Sequence, residues 1–548
     1  MGNIVSISVH GALVGLALVC SLGCTDGGTK ADANLEAKPL DIDEMRSTAD
    51  AATTDMTAFV SRLVQFRSIE PPPETPEAPL TDDTEGALQA VLDKGVELGL
   101  SARRSSNGRV GILEYGDGEE TVGAVVHLDV VPAGDESTWT HAPFSGEVID
   151  GAVWGRGAQD DKGAGASVLW AAKMLIDSKV HFPRRLRLLF GTSEEVDVNR
   201  DMKPYFDEEG APAVCLVPDA FFINNGEPGY MNVVISFAGA TAASSSARDQ
   251  AVLLTGGQSA AAVPAFAYAV FQTTDAGALR AELDALVTDI AAKILQETGK
   301  TAGLKVQTRD EFVVDHATET VPTGDLVLSS VGVAFHSSVP QVGRNALIEV
   351  ALTGARLAHL ADNGIARAFR FLDANIGLTV DGSLIGLKPS GAALETTLSV
   401  DLATMRASDD KLDVLINCRA RDNASNDLIY ANLTAPLAGL NATASTLGEL
   451  VTSYHFAAND PVIALLATSY KDVLGKDATI APCPGGTYAK VDPTHLTIYG
   501  PVLTPDDNSY FHVTDERVTV ASLGRNAVLF AHALQTLLLA KELPVRTP

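Results

Sequence analysis

Apolar residues recur at helical spacing from Asp55 to Phe66 (DMTAFVSRLVQF), and the proline cluster Pro71-Pro72-Pro73 stops the run. A second segment of this kind covers Glu85–Leu98 and closes at Gly99. Apolar runs at Arg109–Tyr115, Thr121–Val126, Leu186–Phe190 and Ala213–Val217 predict strands. A helix over about Gly163–Ile176, with apolar Val168, Leu169, Ala172 and Leu175, separates the middle pair. Strands that alternate with helices predict an α/β layer with a partly parallel sheet.

The pattern changes near Gly229. Met231–Phe237 reads as a strand, Ala276–Thr298 as a long amphipathic helix, and Asn345–Asp362 as another helix. Strand-like stretches occur at Leu304–Val314, Asp325–Phe335 and Thr396–Cys418, so this middle part reads as α+β. Asp460–Leu474 then starts a helix–strand–strand–helix block that ends in the helix Leu523–Glu542. Residues able to do chemistry fall in the first and last blocks, with one further cluster between them. We therefore expect a discontinuous catalytic domain, residues 51–229 and 455–548, covered by an inserted lid of residues 230–454.

The 548 residues exceed what one core organises, and 40 Lys plus Arg against 69 Asp plus Glu leave a net charge of −29. That charge argues against nucleic acid or an anionic membrane surface as a main partner. It suits a soluble enzyme and would help concentrate cations. Gly11–Cys20 is an apolar stretch too short for a membrane span and suited to a signal h-region. Gly23-Cys24 resembles the end of a bacterial lipobox. We expect a signal peptide over residues 1–24, a flexible tether over 25–50, and an exported protein, periplasmic or membrane-anchored through lipid on Cys24, with simple secretion as the alternative. Cys215, Cys418 and Cys483 form no CxxC pair and are expected to be buried thiols, so metal chemistry has to come from His and carboxylates.

Four segments offer such groups. The strand through Val126 leads into His127-Leu128-Asp129, where period two turns His127 and Asp129 the same way. An adjacent carboxylate can orient an imidazole for a metal, although a lone pair of this kind also occurs as a satisfied core histidine. Asp160-Asp161, flanked by glycines and followed by a helix, repel each other unless a cation offsets them; the competing reading is a helix N-cap with one extra acid. Glu194-Glu195 follow another apolar strand, where one could bind metal and the other act as general base, or both could be surface groups. Asp219 follows a third strand. Ligands bind at the carboxyl ends of strands in open α/β sheets, so the four together point to a metal site where each alone does not. Nitrogen and oxygen donors without sulfur suit zinc, with manganese or cobalt as alternatives.

The segments HLDVVPAGDESTW, WGRGAQDDKG, GTSEEVD and VPDA, joined later by Gly485-Gly486-Thr487-Tyr488 and by His512-Val513-Thr514-Asp515-Glu516, resemble the aminoacylase/carnosinase/carboxypeptidase family of co-catalytic zinc metallopeptidases. The resemblance is closest to PepV-type dipeptidases, through DDKG and the run PDAFFINNGEPG. It implies an α/β fold: a mixed sheet flanked by helices, made discontinuous by an inserted α+β lid. It also implies two zinc ions bridged by Asp160, one completed by His127 and Asp219, the other by Glu195 and His512. Glu194 would take a proton from a water held between the ions, and Asp129 would orient His127. A cis peptide is implied after the bridging residue, at Asp160–Asp161. In the middle block, His336 within VAFHSSVPQVGRNA resembles the lid histidine that steadies the oxyanion, with a surface histidine as the other reading. Arg419 resembles the lid arginine that grips a substrate's terminal carboxylate, which Gly485 and Gly486 would approach with backbone N–H groups; an ion-paired surface arginine stays open. The resemblance implies a monomer that hydrolyses short peptides with a free C-terminal carboxylate. Hydrolysis of N-acyl amino acids at the same site, or an inactive binding lipoprotein, are the alternatives.

Overall fold

The run at Thr121–His127 forms a strand one residue longer than its pattern predicts, and every residue from Val122 onward is buried. Burial on both faces marks a central parallel strand. The computed structural model describes residues 38–71, 78–134, 136–239, 247–257, 262–316, 319, 321–335, 337, 339–386, 396–404, 411–420, 425–503 and 510–546. In it, Arg185–Gly191 and Val214–Val217 flank the central strand on either side, both parallel to it. The six-stranded order is Ser101–Arg104, Gly111–Tyr115, Arg185–Gly191, Thr121–His127, Val214–Val217 and Leu496–Ile498. The first two strands run antiparallel to their neighbours, and Leu496–Ile498 joins parallel to Val214–Val217. The C-terminal block thus completes a sheet begun by the N-terminal one.

Helices cover this sheet because their apolar stripes match its faces. Ile42–Val64, Lys162–Asp177 and Val520–Leu539 pack together around Met56, Val60, Leu169, Ala172, Phe530 and Leu534. On the other side, Met202 and Tyr205 of the helix Met202–Glu209 meet Val125, Leu189 and Cys215. Residues 42–50 of the expected tether are helical instead. Asp41 and Glu44 form a capping box that starts a helix at Ile42, and Met45 and Ala49 bury themselves in the core. The expected signal segment and Cys24 lie outside the described residues. Among the described residues no helix is long and apolar enough to cross a membrane. Cys215, Cys418 and Cys483 are buried thiols.

A second, eight-stranded sheet is antiparallel throughout and draws all its strands from residues 229–451. Gly229–Ala238 alternates strictly, with Met231, Val233, Ile235 and Phe237 buried under the helices Gly364–Asn375 and Ser425–Thr434. The strand expected within Leu304–Val314 runs to Thr308, where the Thr308 side chain and Glu311 form a capping box that opens the short helix Arg309–Asp315. One expectation needs correction here. The helix expected over Asn345–Asp362 ends at Gly354, and Asn363 caps a separate helix, Gly364–Asn375. In both places a local hydrogen-bonding side chain overrides the apolar pattern.

Candidate metal centre

His127 ends the central strand, Glu194 and Glu195 follow Arg185–Gly191, and Asp219 follows Val214–Val217. The three strands are parallel, so these residues leave the sheet on one side, and the pairing of His127 with Gly191 sets the glutamates beside the histidine. Asp160 reaches the same place from the turn before the helix Lys162–Asp177. His512 arrives from the C-terminal block with φ at 60°, a left-handed backbone that non-glycine residues seldom adopt.

Asp160 stands in the middle. Its Oδ1 is 3.0 Å from His127 Nε2, and its Oδ2 is 3.2 Å from His512 Nε2. Asp219 lies 3.8 Å from His127 Nε2, and Glu195 lies 2.8 Å from His512 Nε2. Donor atoms of His127, Glu194 and Asp219 all fall within 4.8 Å of one another, as do those of His127, Asp160 and Glu195. Tetrahedral zinc, with bonds of about 2.0–2.2 Å, spaces neighbouring donors roughly 3.3–3.6 Å apart. The observed gaps of 2.8 to 3.8 Å bracket that spacing, three of them at the shorter distances of direct hydrogen bonds between the donors. The charge fits as well. Burial, with Asp219 beside it, lifts the Glu194 carboxyl well above the usual range, and burial pushes Asp219 up to about 7. Burial lowers His512, but Glu195 and Asp160 outweigh it and raise the imidazole to about 10. A dication at this site would displace the proton so held on His512.

The surroundings aim these donors. His127 Nδ1 donates to the backbone carbonyl of Asp129 at 2.9 Å, which leaves Nε2 for a ligand role. Sequence reasoning gave that task to the Asp129 carboxylate. The carboxylate lies 3.6 Å from Nδ1 and also accepts the N–H of Glu194 at 3.1 Å and of Glu195 at 2.9 Å. The peptide between Asp160 and Asp161 is cis. Asp161 occupies the N-cap position of its helix without a side-chain capping bond, so capping does not account for the acid pair.

Glu516 is a functional candidate that the sequence did not single out. One of its oxygens pairs with Arg156 at 2.6 Å; the other accepts the N–H of Gln159 at 3.0 Å and of Asp160 at 3.1 Å. Only its place four residues after His512 hinted at this.

Arg419 lies opposite Tyr230 in the second sheet, with its guanidinium 5.6 Å from the Tyr230 ring centre. Its Nε donates to Asn417 at 3.0 Å, and Nη2 contacts the Ser337 hydroxyl at 3.4 Å. Lys490 comes from the C-terminal block to the same ring, 4.8 Å from its centre, and donates to the Pro228 carbonyl. A Cβ on Gly486 would stand 3.1 Å from Lys490 Cε, so this loop passes close to the amine; Gly485 precedes it, half-buried. His336 lies outside the described residues.

The family described as peptidase family M20/M25/M40 matches residues 124–536, more than half of the chain. YtjP of Bacillus subtilis (strain 168), a dipeptidase by name, is 27% identical over 468 residues, 84% of this chain and 92% of its own length. A Staphylococcus epidermidis protein, also a dipeptidase by name, is 25% identical over 469 residues, 84% of this chain and 92% of its own. Among solved structures, human carnosine dipeptidase 1 is similar with a TM-score of 0.54 at 13% identity, covering 91% of this chain and 99% of that one. The di-peptidase Dug1p of Saccharomyces cerevisiae gives 0.54 at 12% identity, with 92% and 99% covered. The structural likeness establishes a common α/β fold with a second, inserted α+β part.

Proposed function

Because this chain belongs to peptidase family M20/M25/M40, and is thereby a zinc-dependent hydrolase of the metallopeptidase kind, we propose that it cleaves the amide bond of short peptides that carry a free C-terminal carboxylate. The observation that carries this reading is Asp160, whose two carboxylate oxygens face different histidines, each with a further acid beside it. We assign His127, Asp160 and Asp219 to one zinc ion, and Asp160, Glu195 and His512 to a second, with manganese or cobalt as substitutes. When bound, such ions polarise the scissile carbonyl and make the attacking water more acidic.

Glu194 is the general base. It accepts the proton of the water whose oxygen attacks the carbonyl carbon, and returns it to the amine as the carbon–nitrogen bond breaks. Support comes from its place among the His127 and Asp219 donors, where burial raises its carboxyl above the usual range. Arg419 holds the terminal carboxylate as a planar fork, with backbone N–H groups at Gly485 and Gly486 beside it. Hydrogen-bond donation by His336 to the oxyanion completes the assignment. Arg419 and Lys490 of one chain share the Tyr230 ring, which supports action as a monomer. The apolar run Gly11–Cys20 followed by Gly23-Cys24 supports export, with lipid on Cys24.

The test is amino-acid release by the zinc-loaded full chain from a dipeptide panel and from N-acetyl amino acids. Dipeptide cleavage is expected. Cleavage of N-acetyl amino acids alone would move the assignment to N-acyl hydrolysis, and cleavage of neither would sink it.

A further inference from the structure

The segment that carries the two glutamates leaves the sheet at Gly191 and makes no ladder of its own, yet four successive backbone N–H groups are satisfied by two carboxylates. Asp201 Oδ2 accepts from Thr192 at 2.8 Å and from Ser193 at 2.9 Å, and Asp129 then accepts from Glu194 and Glu195. Both aspartates are fully buried. Asp201 also accepts from the Met202 N–H and, from far along the chain, from the hydroxyl of Tyr488. All of these bonds arrive at Asp201 from donors, the arrangement suited to an ionised carboxylate, which only accepts.

Tyr488 is itself buried and belongs to the short turn Tyr488–Lys490, whose start is fixed by Thr487 accepting the Ala489 N–H at 3.0 Å. That turn sends the Tyr488 hydroxyl down to Asp201 and the Lys490 amine up to the Tyr230 ring. Gly485 and Gly486 immediately precede it. Gly191 has room for nothing larger: a Cβ there would stand 2.8 Å from Asp201 Oδ2 and collide with the Tyr488 hydroxyl.

We propose that Tyr488 and Asp201 are positioning residues that lock the Glu194–Glu195 loop to the turn carrying Gly485, Gly486 and Lys490. Through this pair, the part of the site that receives the substrate's carboxylate and the part that moves the proton keep one fixed spacing. The inference rests on the assignment of Glu194 as base. Neither residue touches substrate in this arrangement, so loss of the hydroxyl acts on the placement of Glu194 and slows turnover.

Tyr488→Phe removes one hydroxyl and keeps the ring. In the zinc-loaded full chain, with a dipeptide the wild type cleaves, it is expected to lower kcat about 10- to 100-fold, the usual range for a partner that orients an active-site group. KM should stay within about 2-fold and bound zinc per chain should match wild type, as turnover and not binding is affected. Asp201→Asn, which keeps one acceptor oxygen and sets an NH2 donor against either the Met202 N–H or the Thr192 and Ser193 N–H groups, should lose more. Where Asp201→Asn does not fold, Tyr488→Phe decides alone. Wild-type kcat in Tyr488→Phe overturns the inference, and so does a loss of kcat that tracks loss of zinc or of thermal stability. Failure of the base assignment is separate: it would show as full activity in Glu194→Gln, whatever Tyr488→Phe does.

Discussion

Glu516 lies 2.6 Å from the guanidinium of Arg156, although 360 residues separate them. Both are buried, and the second Glu516 oxygen fixes the turn that presents Asp160. Glu516→Ala leaves Arg156 as a buried charge without its partner, a loss of about 3–5 kcal/mol. Urea unfolding in the presence of chelator should report that destabilisation, and elemental analysis should find less zinc per chain. Glu516→Gln keeps an acceptor for the two N–H groups and should cost less on both counts.

Chelation should abolish hydrolysis and lower the thermal midpoint, and added zinc should restore both. Held at 100 times its dissociation constant, a bound ion adds about 2.7 kcal/mol to the folded state. Calorimetric scans of one preparation, metal-free and reloaded, check this; an unchanged midpoint would count against ions at Asp160.

Glu194→Gln keeps the size of the side chain and removes its capacity to hold a proton. It should lower kcat by about 10²–10⁴-fold while bound zinc stays at the wild-type level. His127→Ala should lose zinc together with activity. Paired kinetics and metal analysis separate the two roles.

Burial holds the Lys490 ammonium down to about 8, with Glu227 opposing that drop, Arg419 adding to it, and Cys483 and Glu194 also facing the amine. Its charge is lost above that pH. If the amine helps to hold the substrate carboxylate, KM rises above about pH 8 while kcat changes little, and Lys490→Met abolishes that rise. The stability sign runs the other way. The folded pKa of about 8 lies below the ordinary 10.5, so between them the unfolded chain holds more protons and stability from this group increases with pH. The cost of burying the charge is therefore present below pH 8. Denaturation at pH 7.5 and 9.5, wild type against Lys490→Met, measures it.

Much of the architecture was legible because burial leaves a local mark. Val122–Val126 and Leu186–Phe190 had to be interior strands, and acids at their exits had to meet at one edge once the strands ran parallel. Helix ends were less legible. Asn363 and Thr308 decide where elements begin through single side-chain bonds that an apolar count passes over.

By itself, the sequence determined which segments are buried strands, which residues have metal-ligand chemistry, and that they belong to one family of sites. Tertiary structure alone decided that Glu516 holds the Asp160 N–H while pairing with Arg156, that the Asp129 carboxylate serves the glutamate N–H groups as well as lying beside His127, and that Tyr488 ends on Asp201. The reason is physical. Periodicity reports which side of an element meets the core, whereas an acid reads the same in sequence whether water or a buried donor hundreds of residues away satisfies it.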